Sequence, residues 1–213
     1  MPIKEHPLHA LAAYLPDNSF EPVVAYINHY KIHLTVTRQR KSVLGDYRHA
    51  GGWGNHKISI NGNLNKYEFL ITFLHELAHL FTYEQYKNKV EPHGLEWKNN
   101  YSQLLQDFVQ RNIFPQDIVK ALQKSIKNPS ATANGETELL MILRNYSQQS
   151  KPGITIVDNI PDGGEFITEN GRHFKKIGKR RKRYECVELN TGRRYSFSGL
   201  SEVKIVVDNN PKN

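Results

Sequence analysis

The sequence predicts an α+β protein in two parts, because the spacing of its apolar residues changes along the 213-residue chain. In the first two thirds, apolar residues recur every three to four positions in several segments, which is the spacing of amphipathic helices. Between these segments lie short runs in which apolar and polar residues alternate, as in half-buried strands. After the linker-like segment 147–153, only short alternating runs remain. We therefore expect a mixed domain over residues 1–147 and a β-rich subdomain over residues 148–213.

The first part should contain six helices and three strands. The helices are expected over residues 6–15, 21–30, 66–87, 95–111, 115–126 and 137–146. The strands, rich in β-branched residues, are expected over residues 31–38, 46–50 and 56–60. Ser19 stands where an N-cap of the second helix would lie, and Asn65 with Glu68 resembles a capping box that opens the third.

The second part should form a small antiparallel sheet or barrel. Turn residues such as Asn170-Gly171 separate its alternating runs at the short intervals typical of such folds. The strands are expected over residues 153–157, 165–168, 173–177, 183–189, 193–197 and 203–207.

The composition predicts a globular protein of the cytoplasm. No run approaches the roughly 18 apolar residues that a transmembrane helix needs, so we expect no membrane partner. The first residues lack the pattern of a signal peptide, and the one cysteine, Cys186, excludes both a disulfide and a zinc cluster built on cysteines. The formal net charge of +8 permits an anionic partner such as nucleic acid.

Residues 75–79 read His-Glu-Leu-Ala-His, which is an H-E-x-x-H pattern. On an α-helix, His75 and His79 lie on the same face, so both imidazoles can bind one metal ion. Glu76 lies one position round the helix, where it can reach a water on that metal without being a ligand. Two histidine ligands with a glutamate as general base are typical of zinc hydrolases. The neighbouring residues are apolar nearly all round, which predicts a buried helix in which a metal would offset the cost of burying these polar groups.

A catalytic zinc site needs a third protein ligand, and three downstream residues are candidates. Glu91, His93 and Glu96 all follow the predicted helix closely enough for a returning loop to bring them back. Gly94 would let the backbone next to His93 approach the helix, whereas Glu96 would serve if the third ligand were a helical glutamate, as in some zincins.

Fourteen positions after His79, the H-E-x-x-H pattern is followed by His93-Gly94-x-x-Trp97-Lys98. This combination resembles the SprT-like family of zinc metalloproteases, which includes the Spartan proteases. The run Thr37-Arg38-Gln39-Arg40, the turn at Gly45 and the strand at 58–60 also resemble that family's approach to its metal-binding helix. The resemblance covers roughly residues 20–110. It implies a zincin-like metalloprotease domain with a small antiparallel sheet and a central H-E-x-x-H helix.

The resemblance also implies the chemistry of the site. His75, His79 and His93 would bind Zn²⁺, and Glu76 would be the catalytic base that activates a zinc-bound water to hydrolyse peptide bonds. The substrate would be a protein or peptide, and some members of the family act on proteins crosslinked to DNA, which is a step of DNA–protein crosslink repair. Many bacterial members end in a zinc ribbon with paired cysteines, and this chain, with Cys186 alone, cannot form one.

The carboxyl-terminal part carries most of the net positive charge. Residues 151–213 contain 13 basic and 8 acidic side chains, a net charge of +5, whereas residues 1–150 contain 16 and 13, a net charge of +3. Aromatic residues lie among the basic ones, which suits contacts with phosphates and stacking on bases. The candidate nucleic-acid contacts are Lys175, Lys176, Lys179, Arg180, Arg181, Lys182 and Arg183.

Two other functions fit the same residues. The chain would be a nucleic-acid-binding protein if its zinc site were structural or vestigial. It would be a zinc hydrolase of another substrate if the H-E-x-x-H helix served chemistry of the deformylase type. For the peptidase, we expect an extended substrate to pair with the strand at 56–60, as in other zincins.

Overall fold

The computed structural model describes residues 8–40, 43–51, 54–130, 137–147, 153–181 and 183–206. The chain divides into two compact units, Met1–Ser147 and Gln148–Asn213. Each unit has its own cluster of buried apolar side chains. Among the described residues, none of the helices combines the length and the hydropathy that a bilayer span requires.

The first unit contains five α-helices, one 3-10 helix and three strands within the described residues. The 3-10 helix is His9–Tyr14, and the α-helices are α1 (Phe20–His29), α2 (Lys66–Tyr86), α3 (Leu95–Gln110), α4 (Gln116–Lys127) and α5 (Thr137–Arg144). The strands are β1 (His33–Thr37), β2 (Gly45–Arg48) and β3 (Lys57–Asn61). Each predicted helix and strand is present, with ends that differ by a few residues.

The three strands form one mixed sheet in the order β1-β3-β2. β2 runs antiparallel to β3, whereas β1 runs parallel to it. The expected antiparallel sheet is therefore only half correct, because β3 folds back beside β2 and then also pairs with β1. The prediction that a substrate pairs with the strand at 56–60 is wrong for the same reason: β3 has a partner strand on both sides. Among the described strands, β2 is the edge strand that packs against α2.

α2 is the central element of the first unit. Eleven of its 21 residues are buried, which explains why apolar residues occupy most of its circumference. Asn65 caps its first turn, since the side-chain Oδ1 accepts a hydrogen bond from the Glu68 backbone N–H at 3.0 Å. The expected cap at Ser19 does not form. The Ser19 backbone is already helical, and its hydroxyl donates backwards to the Pro16 carbonyl at 2.7 Å.

The second unit is a six-stranded sheet in which every neighbouring pair is antiparallel. Its strands are β4 (Ile154–Ile156), β5 (Glu165–Ile167), β6 (His173–Arg180), β7 (Arg183–Glu188), β8 (Arg194–Ser198) and β9 (Glu202–Ile205), with a short 3-10 helix at Val157–Asn159. The order is β4-β9-β5-β6-β7-β8, an open sheet rather than a barrel within the described residues. Its core centres on Phe166 and Phe174, whose rings stack with centroids 5.7 Å apart.

Candidate metal centre

Three histidine side chains converge in the first unit, two from α2 and one from the segment before α3. The potential ligand atoms of His75, His79 and His93 all lie within 4.8 Å of one another. The Nε2 atoms of His75 and His93 are 3.4 Å apart. Two nitrogens on one tetrahedral zinc, each about 2.0–2.1 Å from it, would be separated by about 3.4 Å. The three imidazoles therefore fit a zinc ion. No other group of three or more such side chains converges elsewhere in the described part of the chain.

A tight turn brings His93 back to α2. The Gly94 N–H donates to the Glu91 carbonyl at 3.0 Å, and α3 begins at the next residue. A Cβ atom at Gly94 would lie 3.1 Å from the Glu96 carboxylate and 3.2 Å from the Glu91 carbonyl, so the turn leaves little room for a side chain. Neither glutamate joins the histidine cluster.

The histidines are held as neutral imidazoles, the form that binds metals. Burial, with smaller contributions from the neighbouring His79 and His93, lowers the pKa of His75 to about 3. Burial and His93 lower the pKa of His79 to about 4. The pKa of His93 is also lowered by burial. Each charged imidazole would be costly here, so the lone pairs remain available to a cation at neutral pH.

Glu76 is buried beside the cluster and is not part of it. Burial, together with the nearby Asp46, raises the pKa of its carboxyl group to about 8, although Arg40 opposes the shift. Its carboxylate lies against the start of β2, where a Cβ atom at Gly45 would come within 2.6 Å of Oε1. A carboxyl group with such a pKa can both accept and release a proton near neutrality.

Trp97 forms the floor behind the three histidines. Its ring centroid lies 4.7 Å from that of His75, 4.7 Å from that of His93 and 5.4 Å from that of His79. The side chain is fully buried, and its Nε1–H finds no hydrogen-bond partner in the described part of the chain. Tyr101 stacks on the indole at 5.1 Å. This aromatic layer fixes the orientation of the imidazole rings and excludes water from behind them.

Residues 15–115 match the model of the SprT-like family, and this stretch contains all three histidines and Glu76. This part of the chain belongs to the SprT-like family. No curated protein and no solved structure matches the chain. The SprT-like family is associated with proteins of the zinc-metalloprotease type, in agreement with a histidine cluster that fits a metal.

Sequence reasoning missed one aromatic residue of the SprT-like region that lies beside the cluster. The ring of Tyr47 in β2 is parallel to that of His79, with centroids 6.5 Å apart. Its hydroxyl lies 2.9 Å from His56 Nδ1, and His56 Nε2 lies 3.5 Å from the Glu84 carboxylate. The sequence signal for Tyr47 is the alternation of side chains in β2, which puts position 47 on the same face of the strand as Gly45.

The candidate nucleic-acid contacts lie outside the SprT-like region, and most of them are exposed. Lys179, Arg180, Arg181 and Arg183 surround the turn that joins β6 to β7, and Lys175 lies further back along β6. Arg180 pairs with Glu185 at 2.6 Å, and Arg183 donates to the Ser196 carbonyl at 2.9 Å. Lys182 lies outside the described residues.

Lys176 is not available to a nucleic acid, so this predicted contact is wrong. Its side chain is 3% exposed and points into the core of the second unit. Its ammonium group donates to the carbonyls of Val157 at 3.0 Å and Ile160 at 2.5 Å. It also lies 3.9 Å from the centre of the Tyr184 ring. These contacts replace the hydrogen bonds to water that the ammonium group loses when it is buried.

Proposed function

We propose that the chain is a zinc metallopeptidase of zincin-like architecture, with His75, His79 and His93 as zinc ligands and Glu76 as general base. One observation carries the proposal: three neutral imidazoles converge, while a buried carboxyl group of the same helix lies beside them and outside the ligand set. A purely structural zinc site would be closed by a fourth protein ligand, and no fourth ligand joins this group in the described residues.

Zinc, when bound, supplies a water of lowered pKa and polarises the carbonyl of the scissile peptide bond. Glu76 accepts the proton of the attacking water and then donates it to the leaving amine. The buried setting of Glu76 keeps bulk water away from this proton, and Trp97 keeps the imidazoles in place beneath the reacting groups.

The edge of β2 is the site at which we propose that an extended polypeptide binds. The described residues place no other strand beyond β2, so its outer backbone groups can pair with an added strand. This edge begins at Gly45 beside the Glu76 carboxylate, which would bring a paired peptide bond close to the base.

The test is cleavage of fluorescently labelled unfolded casein by the purified chain, with zinc and after its removal by chelation. We expect hydrolysis that depends on zinc and is lost in Glu76→Gln, while that variant keeps its zinc. Glu96→Gln is the matched control, because Glu96 follows His93 by only three positions but lies outside the histidine cluster. This variant should leave both zinc binding and hydrolysis unchanged. Cleavage by Glu76→Gln at the parent rate would refute the role of Glu76.

We infer that the second unit binds DNA, so that the peptidase acts on proteins associated with or crosslinked to DNA. The exposed basic group around the β6–β7 turn supports this partner, since basic side chains that project from a turn can contact phosphates. The alternative function is that of a nucleic-acid-binding protein with a structural or vestigial zinc site. Such a protein would use the same basic surface but would not hydrolyse peptide bonds.

The test compares two triple variants that remove equal charge. Lys179→Gln/Arg181→Gln/Arg183→Gln changes the β6–β7 turn, and Lys89→Gln/Lys120→Gln/Lys127→Gln changes exposed lysines of the first unit. We expect the first to weaken binding to a DNA duplex in low salt and to reduce the salt dependence, and the second to change neither. Equal losses in both triples would indicate only a general charge effect.

A further inference from the structure

Gly45 opens β2 in direct contact with the Glu76 side chain. A Cβ atom at position 45 would lie 2.6 Å from Glu76 Oε1, 2.9 Å from Glu76 Cγ and 2.7 Å from Thr72 Cγ2. These distances are shorter than a Cβ atom tolerates, so a larger residue would displace either the strand or the carboxylate. β2 is four residues long and pairs only with β3 among the described strands, so the sheet holds it from one side.

Arg40 ties the start of β2 to β3. Its Nε donates to Asn61 Oδ1 at 2.8 Å, and one terminal nitrogen donates to Ser59 Oγ at 3.0 Å. The other terminal nitrogen donates to the carbonyls of Ser59 at 3.2 Å and Leu44 at 3.4 Å. Leu44 immediately precedes β2, whereas Ser59 lies in β3. The planar guanidinium therefore spans the two strands, which the single ammonium of a lysine could not do.

Asn61 closes the same segment from the end of β3. Its side-chain amide donates to the carbonyls of Arg40 at 3.2 Å and Val43 at 3.0 Å. Its Oδ1 also accepts from the Thr37 hydroxyl at 3.2 Å, and its backbone N–H donates to the Leu44 carbonyl at 2.9 Å. The residue is only 1% exposed. Buried polar groups satisfied this fully hold one conformation of the chain.

We propose that Arg40, with Asn61, is a positioning residue that holds the start of β2 against Glu76, and that Gly45 is required because the strand passes in contact with that carboxylate. This inference deepens the proposed function, on which it rests. The side-chain hydrogen bonds of Arg40 go to Leu44, Ser59 and Asn61, none of which is a proposed metal ligand. Arg40 acts through β2. This strand lies against the Glu76 carboxylate, and its outer edge is the proposed binding site for the substrate.

The test uses two variants with matched controls. Arg40→Met removes the guanidinium and is compared with Arg38→Met, an exposed arginine two positions earlier. Gly45→Ala adds the Cβ atom beside Glu76 and is compared with Gly51→Ala, whose added Cβ would meet no atom within 4 Å. Two measurements are made on the full chain: amide hydrogen exchange over residues 43–48, and kcat and KM for casein cleavage at equal zinc content.

We expect Arg40→Met to accelerate exchange in residues 43–48 while exchange in α2 and the zinc content stay unchanged. Both variants should lower kcat by roughly 10- to 100-fold, the loss typical of a reacting group displaced by about 1 Å, with little change in KM. Arg40→Lys, which keeps the charge but not the planar fork, should restore little of this loss. The two control variants should behave as the parent.

The outcomes separate this inference from the proposed function. If the parent chain shows no zinc-dependent cleavage, the proposed function fails, and the exchange measurement alone decides whether Arg40 holds β2. Unchanged exchange over residues 43–48 in Arg40→Met would overturn the inference. It is also overturned if exchange accelerates while kcat stays at the parent value, because the strand would then be held without consequence for Glu76.

Discussion

Lys175 and Lys176 are neighbours in β6 with opposite surroundings. The Lys175 side chain is exposed, whereas Lys176 lies in the core and donates to the carbonyls around the short 3-10 helix at Val157–Asn159. The cause is the alternation of a strand, because Lys176 shares its face with the fully buried Phe174. A count of basic residues treats the two lysines alike, although one contributes charge to the surface and the other contributes hydrogen bonds to the core.

Lys176→Met should therefore destabilise the second unit much more than Lys175→Met. Loss of the ammonium leaves carbonyl groups of Val157 and Ile160 without donors, which costs about 1.5–3 kcal/mol for hydrogen bonds to a charged group. The measurement is the free energy of opening of β6 and β7 from native-state amide hydrogen exchange. Equal effects of the two substitutions would contradict the assignment of Lys176 to the core.

α2 is a mostly buried apolar helix that also carries the polar residues His75, Glu76 and His79. Its first turn depends on Asn65, which acts in two ways. Its Oδ1 caps Glu68, and its side-chain amide donates to the Leu143 carbonyl at 2.8 Å, which ties α2 to the end of α5. The start of α2 is thereby fixed both locally and by tertiary contact.

Asn65→Ala should lower the free energy of unfolding of the first unit by about 1 kcal/mol for the lost cap, and further for the lost bond to Leu143. Asn65→Ser is the matched control, since it keeps a capping oxygen and lacks the amide donor, and its loss should be smaller. Urea denaturation followed by far-ultraviolet circular dichroism measures both changes. An alanine variant as stable as the parent would contradict the role of the cap.

The two units of the chain are stabilised by different interactions. The first is organised around α2, whereas the sheet of the second unit carries buried charges that are paired. Glu188 accepts hydrogen bonds from Arg172, at 2.6 Å, and from Thr191, and the Arg172 bond is the main reason that the pKa of Glu188 is lowered to about 2. Its ordinary value is 4.5.

This shift predicts how the second unit responds to acid. Because the folded state holds the Glu188 carboxylate more strongly than the unfolded chain does, the stabilisation is complete above about pH 4.5 and is lost as the pH falls towards 2. Glu188→Gln should lower stability at pH 6, and its difference from the parent should shrink between pH 4.5 and 2. The difference is measured as the urea midpoint of the second unit, with unfolding monitored by hydrogen exchange, at several pH values between 6 and 2. A difference independent of pH would contradict the ion pair with Arg172.

The helices and two of the three converging histidines could be predicted from the sequence because their signals are local. An H-E-x-x-H pattern on an apolar helix specifies two neighbouring imidazoles wherever the helix lies. The third histidine needed the resemblance to a family, since Glu91 and Glu96 were equally near in sequence. The order of β1, β2 and β3 could not be predicted, because alternation identifies strands but not their partners.

The contacts of Arg40 and Asn61 could not be predicted for a similar reason. Arg40 and Asn61 are 21 residues apart and meet only because β3 lies between β1 and β2. Lys176 is a different case. The period of two along β6 already placed it on the face of Phe174, and this signal outweighs the charge of the side chain.

The most direct test of the central claim is the zinc content of the purified full chain, measured by inductively coupled plasma mass spectrometry. We expect one zinc ion per chain in the parent and in Glu76→Gln, and a large loss of zinc in His79→Ala and in His93→Ala. The Glu96→Gln control should retain the parent value. A parent chain that binds no zinc, or a His93→Ala variant that keeps all of it, would contradict a zinc site built on these three histidines.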